Sequence, residues 1–302
     1  NTNNSLIKGV LGSACDEDLI HNIFRNNNID LVFHAAAYKH VPLVENNPIE
    51  GIKNNVMSTK FLCQASYKNK INRFVLISSD KAVRPTNVMG CSKRIAELIV
   101  KSYSSLSKNQ IIDSKKENTI FSSVRFGNVL ESSGSVVPLF RRQIEKGGPI
   151  TITDKRVIRY FMTITEAVDL VIQAAFLSKN GDVCLLEMGE PLKIYDLAKQ
   201  MIMLSGLQIK NEQNPKGDIE IITTGLRPGE KLFEELLVEG QSQPTSHPLI
   251  YRSQEENIDQ DLFLNKLEKL ISSLNYFDKK KLFSMISDLV PEWKVDKIHE
   301  IE

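Results

Sequence analysis

The segment Ile77-Ser78-Ser79-Asp80-Lys81-Ala82-Val83-Arg84-Pro85-Thr86-Asn87-Val88-Met89-Gly90-Cys91-Ser92-Lys93 joins an apolar run to an amphipathic one. Its left flank, Arg73–Ile77, reads as a buried strand, and that strand ends at Ser78. Polar residues follow, and a helix opens near Met89. In open α/β sheets, ligands bind beyond the carboxyl ends of strands, so Ser79, Asp80 and Lys81 stand where chemistry is expected. Met89 and Lys93 are four residues apart and share one helix face.

The same alternation extends outward. Leu6–Leu11, Asp30–His34 and Ile120–Phe126 read as strands. Asp16–Arg25, Pro48–Lys68 and Gly90–Leu106 read as helices, the first with acidic residues in its opening turn and the second with Pro at its start. Strands alternating with helices imply βαβ units with right-handed crossovers around a parallel sheet. The fold class is therefore α/β, a doubly wound parallel sheet. After Asn128 the pattern loosens into helices Val136–Glu145, Ile164–Leu177 and Ile194–Leu204, separated by Gly-, Pro- and Asn-rich loops. Gly147-Gly148-Pro149 stops the first of these. The expected organisation is a dinucleotide-binding region over 1–128, a substrate lobe over 129–252 woven into the last strands, and a charged helical tail over 253–302. The tail contains helices Leu264–Leu274 and Lys279–Leu289 and reads as a solvated cap or as a packing surface for a neighbour.

The bulk numbers exclude several classes. In 302 residues, 38 Lys and Arg face 37 Asp and Glu, a net charge of +1 that gives no general reason to expect nucleic acid as a partner. The four cysteines lie far apart with no C-x-x-C pair, so neither a metal site nor a disulfide framework is expected, and a reducing compartment fits. No apolar run reaches 18 residues, so no membrane segment is expected in this chain. The opening Asn-Thr-Asn-Asn-Ser reads as a cut point within a longer protein.

Several further segments carry a resemblance. They are His34-Ala35-Ala36-Ala37-Tyr38-Lys39-His40-Val41-Pro42, Asn54-Asn55-Val56, Arg125-Phe126-Gly127-Asn128-Val129-Leu130 and Ser132–Pro138. Arg159-Tyr160-Phe161-Met162-Thr163 and Arg227-Pro228-Gly229-Glu230-Lys231 complete the set. With the Ser79–Lys93 stretch, in this order, the chain resembles the extended short-chain dehydrogenase/reductases. More narrowly it resembles the UDP-N-acetylglucosamine 4,6-dehydratases of the CapD-like polysaccharide-biosynthesis family. Most of that superfamily has Tyr-x-x-x-Lys; here Met89 stands at the Tyr position, as in the long-form dehydratases, and Glu131 stands where the family usually has Gly. No G-x-G-x-x-G turn occurs, so the sheet is expected to lack its first strands and pyrophosphate-binding loop. A gap is expected between Leu6–Leu11 and Asp30–His34, with unpaired sheet edges.

The resemblance implies NAD as cofactor and a UDP-sugar as substrate. It implies a lyase reaction: hydride leaves sugar carbon 4, water is lost across carbons 5 and 6, and the hydride returns to carbon 6. On this reading Lys81 is the base at carbon 5 and must be partly neutral through desolvation or the charge of Lys93. Asp80 is the acid at the carbon 6 hydroxyl and must hold a proton in a dry site. Without the resemblance, Asp80 and Lys81 read as an exposed loop pair. Lys93 is expected on the nicotinamide ribose. Ser78 and Ser79 orient the nicotinamide or the carbon 4 hydroxyl, or else cap the following turn. Met89 is either part of the site or core filler. Ala35, Ala36 and Ala37 permit close approach of the cofactor or simply pack a strand end. Asn55 braces an active-site water or backbone, His34 reads as a satisfied core histidine, and Ser13 stands where relatives contact adenine. Arg159 and Arg227 are expected as phosphate forks, Glu230 as a ribose acceptor, and Asn128, Ser135, Lys39 and His40 as further substrate contacts. No metal is implied. A homo-oligomer through helices Pro48–Lys68 and Gly90–Leu106 is expected, as is a cytoplasmic-face location with anchoring to the inner membrane by an upstream segment. A UDP-sugar 4-epimerase, or a nucleotide-sugar-binding remnant, is the alternative function.

Overall fold

The computed structural model describes residues 7–109, 118–235, 242–253, 255, 258–275 and 279–293. Its centre is a six-stranded sheet ordered Leu31–His34, Arg73–Ile77, Ile120–Arg125, Val183–Leu186, Ile250–Ser253 and Ser242–Pro244. The first four strands pair in parallel, and the last two join antiparallel. Arg73–Ile77 is flanked on both sides, and its residues Phe74, Val75 and Leu76 are almost fully buried. That explains its continuous apolar run, since a parallel strand covered on both faces has no polar side to show.

Helices cover both faces, as in a doubly wound fold. One face carries Pro48–Ile52, Ser58–Asn69 and Val88–Asn109, with Ile52, Phe74, Ile95, Ile99 and Phe121 at its heart. The other face packs Ile164–Leu177 over Val75, Val124 and Cys184. Each such buried side chain contributes about 1.5–3 kcal/mol relative to exposure. A third, smaller core joins helices Val136–Glu145 and Ile194–Leu204 to strands Ile150–Ile152 and Ile219–Thr223. Local signals start the helices where they begin. Asp16 accepts from Leu19 N, Thr163 and Glu166 form a reciprocal capping box, and Asn87 Oδ1 accepts from Gly90 N at 2.8 Å.

Three expectations need correction. Residue 6 lies outside the described residues, but Ile7–Leu11 forms no strand; Ile7 and Leu11 are fully exposed because no described strand lies beside them. The outer edge of Leu31–His34 likewise has no described partner. The single helix expected over Pro48–Lys68 is broken by a π turn at Lys53–Met57, and a short helix at Val41–Asn46 precedes it. The tail is no solvated cap. Phe263, Leu267, Leu270, Leu282, Ile286 and Trp293 are buried in the first core, against the Val88–Asn109 helix and its neighbours. Helix Gln260–Ser273 packs against Val88–Asn109. Among the described residues, no helix is long and apolar enough to cross a membrane.

Candidate active site

A cleft opens at the carboxyl end of the parallel strands. One part, of about 270 Å³, is lined by Asp80, Lys81, Asn128, Arg159, Arg227 and Glu234 among others. A second part, of about 350 Å³, is lined by Ala35, Ala37, Ser78, Met89, Lys93 and Ser135 among others. Lys39, His40, Lys81 and Asn128 border both.

Asp80 and Lys81 sit on a 3-10 turn directly after the Arg73–Ile77 strand. Ser79 caps this turn: its Oγ accepts from Lys81 N and donates to Asp80 Oδ1 at 2.6 Å. The turn lies hard against the following helix because Gly90 has no side chain. A Cβ there would come 2.3 Å from the Lys81 carbonyl oxygen. Lys81 Nζ contacts Asp80 Oδ1 at 3.2 Å, Glu234 Oε1 at 2.7 Å and Asn128 Oδ1 at 3.4 Å.

The ionisation of this pair is the reverse of the sequence expectation. Burial alone pushes Lys81 down, but the two carboxylates raise its ammonium above the ordinary lysine range. Burial alone pushes Asp80 up, but the Lys81 charge and hydrogen bonds hold its carboxyl below the ordinary range. Lys93 is not among the groups that shift Lys81. Lys81 is therefore a cation and Asp80 an anion, because they compensate one another in a dry site.

Lys93 is buried and donates from Nζ to the Ile77 carbonyl at 2.7 Å. Burial lowers it to about 8, against the opposing Glu97 charge. Met89 is 3% exposed and serves both core and cleft wall. Asn55, at the π turn, clasps Tyr38 N and O and donates to Ser92 Oγ at 2.8 Å, so it braces the backbone as expected. His34 bonds Thr59 Oγ1 at 3.0 Å, and burial followed by the Lys93 charge drives it down to about 3. Asn128 bridges Lys81 and Glu234. The Ser135 hydroxyl is buried at the cleft with no protein partner among the described residues.

Other expected residues are engaged elsewhere. Ser13 is exposed and closes the turn before helix Glu17–Asn26, away from the cleft lining. Ala36 is not in the lining, although Ala35 and Ala37 are. The Ser78 hydroxyl points back to Glu97 Oε1 at 2.6 Å. Arg159 is not a free fork: its guanidinium meets Glu234, Glu230 and the carbonyls of Ile158 and Leu232. Glu230 lines the cleft, and its carboxylate oxygens already accept from Thr153 Oγ1, Arg159 Nη2 and the Arg227 N–H. Arg227 is exposed and lines the cleft.

Glu234 was missed. Its only sequence signal is a Glu-Glu pair just after Arg227-Pro228-Gly229-Glu230-Lys231. The loop that delivers it is pinned to the catalytic segment, with Thr86 Oγ1 and Asn87 Nδ2 donating to the Gly229 carbonyl at 2.8 and 3.2 Å. Glu234 is 9% exposed, and burial pushes it up to about 7 despite the Lys81 charge, which opposes the shift.

A doubly wound sheet with a polar Ser-Asp-Lys turn and a Met-x-x-x-Lys helix at its strand ends defines an extended short-chain dehydrogenase/reductase. Residues 1–255 match the family described as polysaccharide biosynthesis protein, and the chain belongs to that family. It is 46% identical over 258 residues to the capsular polysaccharide biosynthesis protein CapD of Staphylococcus aureus, covering 84% of this chain and 39% of that protein. The chain thus spans about two fifths of that relative's length. It is 34% identical over 235 residues to a UDP-glucose 4-epimerase of Rickettsia bellii, covering 78% of this chain and 63% of that protein. The solved structure of Pen from Bacillus thuringiensis superposes with a TM-score of 0.70 at 33% identity, covering 85% of this chain and 75% of that one.

Proposed function

We propose that the protein containing this chain performs the NAD-dependent 4,6-dehydration of a UDP-N-acetylhexosamine, UDP-N-acetylglucosamine first, for surface-glycan synthesis. The observation that carries this reading is the Asp80–Lys81 ion pair, 3.2 Å apart, at the strand end and inside the cleft. A 4-epimerase only moves hydride at carbon 4, whereas elimination needs both a base and an acid beside carbons 5 and 6.

NAD supplies the hydride acceptor and donor. The residues of the second part of the cleft fit its nicotinamide ribose. Ala35 and Ala37 leave room at the strand end, and Lys93 has donors beyond the one spent on Ile77 O. The ionisation of the pair supports one division of the elimination roles. Asp80, the carboxylate, takes the carbon 5 proton, which the adjacent keto group has made acidic. Lys81, the ammonium, gives a proton to the departing carbon 6 hydroxyl. Ser135 and Arg227 are the open contacts for the nucleotide sugar.

The epimerase reading is favoured by the Rickettsia relatives. Incubating the full-length protein with UDP-N-acetylglucosamine and weighing the product separates the two. Loss of one water, abolished in Lys81→Ala, is the expected result. An unchanged mass with a new epimer establishes the epimerase instead.

A further inference from the structure

We propose that Glu234 and Asp80 form a carboxyl–carboxylate pair sharing one proton, held on Glu234 in the resting protein, and that Glu234 returns protons to Lys81 during turnover. The second half of this statement rests on the dehydration reading; the first does not.

The geometry comes first. Both carboxyl groups are buried, with Asp80 at 3% and Glu234 at 9% exposure. Both reach the same ammonium, Lys81 Nζ, at 3.2 and 2.7 Å. They also lie within hydrogen-bonding reach of one another. Asp80 Oδ1 receives Ser79 Oγ and Lys81 Nζ, while Oδ2 is sealed from solvent and, among the described residues, receives no donor from a side chain or backbone. A buried carboxylate oxygen without a donor costs about 1–3 kcal/mol or more. A proton on Glu234 supplies the donor this carboxylate lacks.

The charge count agrees. Lys81 and Arg159 are the two cations in direct contact with the cluster, and Asp80, Glu234 and Glu230 are its three carboxyls. One proton balances the set. Two carboxylates that close cannot both ionise readily in a dry site.

The groups facing Glu234 come from five places. Asp80 and Lys81 approach from the turn, Asn128 from the strand beside it, and Arg159 from the strand opposite. On its own segment stand Glu230, Lys231 and Glu235, the last paired with Arg84 at the rim. Across the cleft are Lys39, His40 and Arg227. Burial and Asp80 hold the proton on Glu234 up to about 7, with Lys81 and Arg159 opposing.

The proton path then closes. Asp80 takes the carbon 5 proton as the carbon 6 to oxygen bond breaks. The hydroxyl leaves as water with a proton from Lys81. Glu234 re-protonates the Lys81 amine. As hydride returns to carbon 6, Asp80 gives its proton back to carbon 5, and a proton from water, matching the one released from the carbon 4 hydroxyl at oxidation, restores Glu234.

The test uses the full-length protein carrying ¹³C-carboxyl glutamate and needs no substrate. Infrared spectra across the neutral range are expected to show one labelled carboxylic-acid carbonyl band that disappears as pH rises through about 7. The band should be absent in Glu234→Gln and present in Glu230→Gln. In Asp80→Asn, removal of the neighbouring negative charge should move its midpoint down by about one pH unit or more. Absence of a titrating labelled band in the wild-type protein overturns the proposal, even if Glu234→Gln fails to fold. So does a band that survives Glu234→Gln, or a midpoint unmoved in Asp80→Asn. A water loss from the sugar with no such band sinks the shared proton and leaves the dehydratase standing. The band without water loss does the reverse.

Discussion

Glu131 adopts a left-handed backbone conformation, with φ at +60°. This is the position where the family usually has glycine, and the structure gives the reason: only glycine adopts that conformation without a Cβ clash. The Glu131 side chain pairs with Arg141, but both are more than half exposed, so solvent screens the pair. Glu131→Gly removes both the strain and the ion pair, whereas Glu131→Ala removes only the ion pair. We expect the Gly variant to be the more stable of the two by about 1 kcal/mol, read from thermal melts. An Ala variant equal to or above the Gly variant would show that this loop carries no strain. The same scale explains why site residues were legible in kind but not in charge. The types Asp80, Lys81 and Lys93 are visible as letters. The ionisation of Asp80 and Lys81 depends on Glu234, which lies more than 150 positions away in the chain and meets Lys81 only through folding.

At the scale of elements, the catalytic turn and helix Val88–Asn109 are fitted to one another through Gly90. Even an added methyl meets Lys81 backbone rather than a flexible side-chain tip. Gly90→Ala should therefore push the Asp80–Lys81 turn outward. A stability loss of about 1–3 kcal/mol is expected in denaturant melts, with a larger relative loss of turnover than of substrate binding. Unchanged stability and turnover would mean that the turn is not seated on the helix as described. Element types and many boundaries could be read from periodicity and caps, as in Arg73–Ile77, Val136–Glu145 and Ile164–Leu177. The π turn could not. One extra residue per turn leaves no mark on hydrophobic spacing, yet it is where Asn55 reaches Tyr38 and Ser92.

For the whole molecule, the tail is tied to the sheet by charge as well as by apolar packing. Glu97 lies between Arg125 and Arg94, which in turn hold Glu255 and Glu292. Burial pushes Glu255 up, but Arg125 and Arg94 overcome this and hold it at about 2, below its ordinary 4.5. A depressed carboxyl stabilises the folded state above its ordinary value, and that contribution is lost as pH falls from 4.5 toward about 2. The sequence contains a single tryptophan, and Trp293 is buried within this packing, so its fluorescence reports the tail. In denaturation followed at Trp293, Glu255→Gln is expected to be less stable at neutral pH and to lose less stability on acidification to pH 2. Parallel pH curves for the two proteins would remove Glu255 from the linkage.

The sequence by itself determined the alternation of strands and helices, the strand-end position of Ser79, Asp80 and Lys81, and the family. Hydrophobic period, capping residues and motif order are local properties of the chain. Tertiary structure alone decided that Glu234 completes the cluster, that Arg159 holds both Glu230 and Glu234, and that the tail belongs to the main core. Each of those outcomes depends on which distant side chains share a site cut off from water, where desolvation and pairing set the charge of every partner at once.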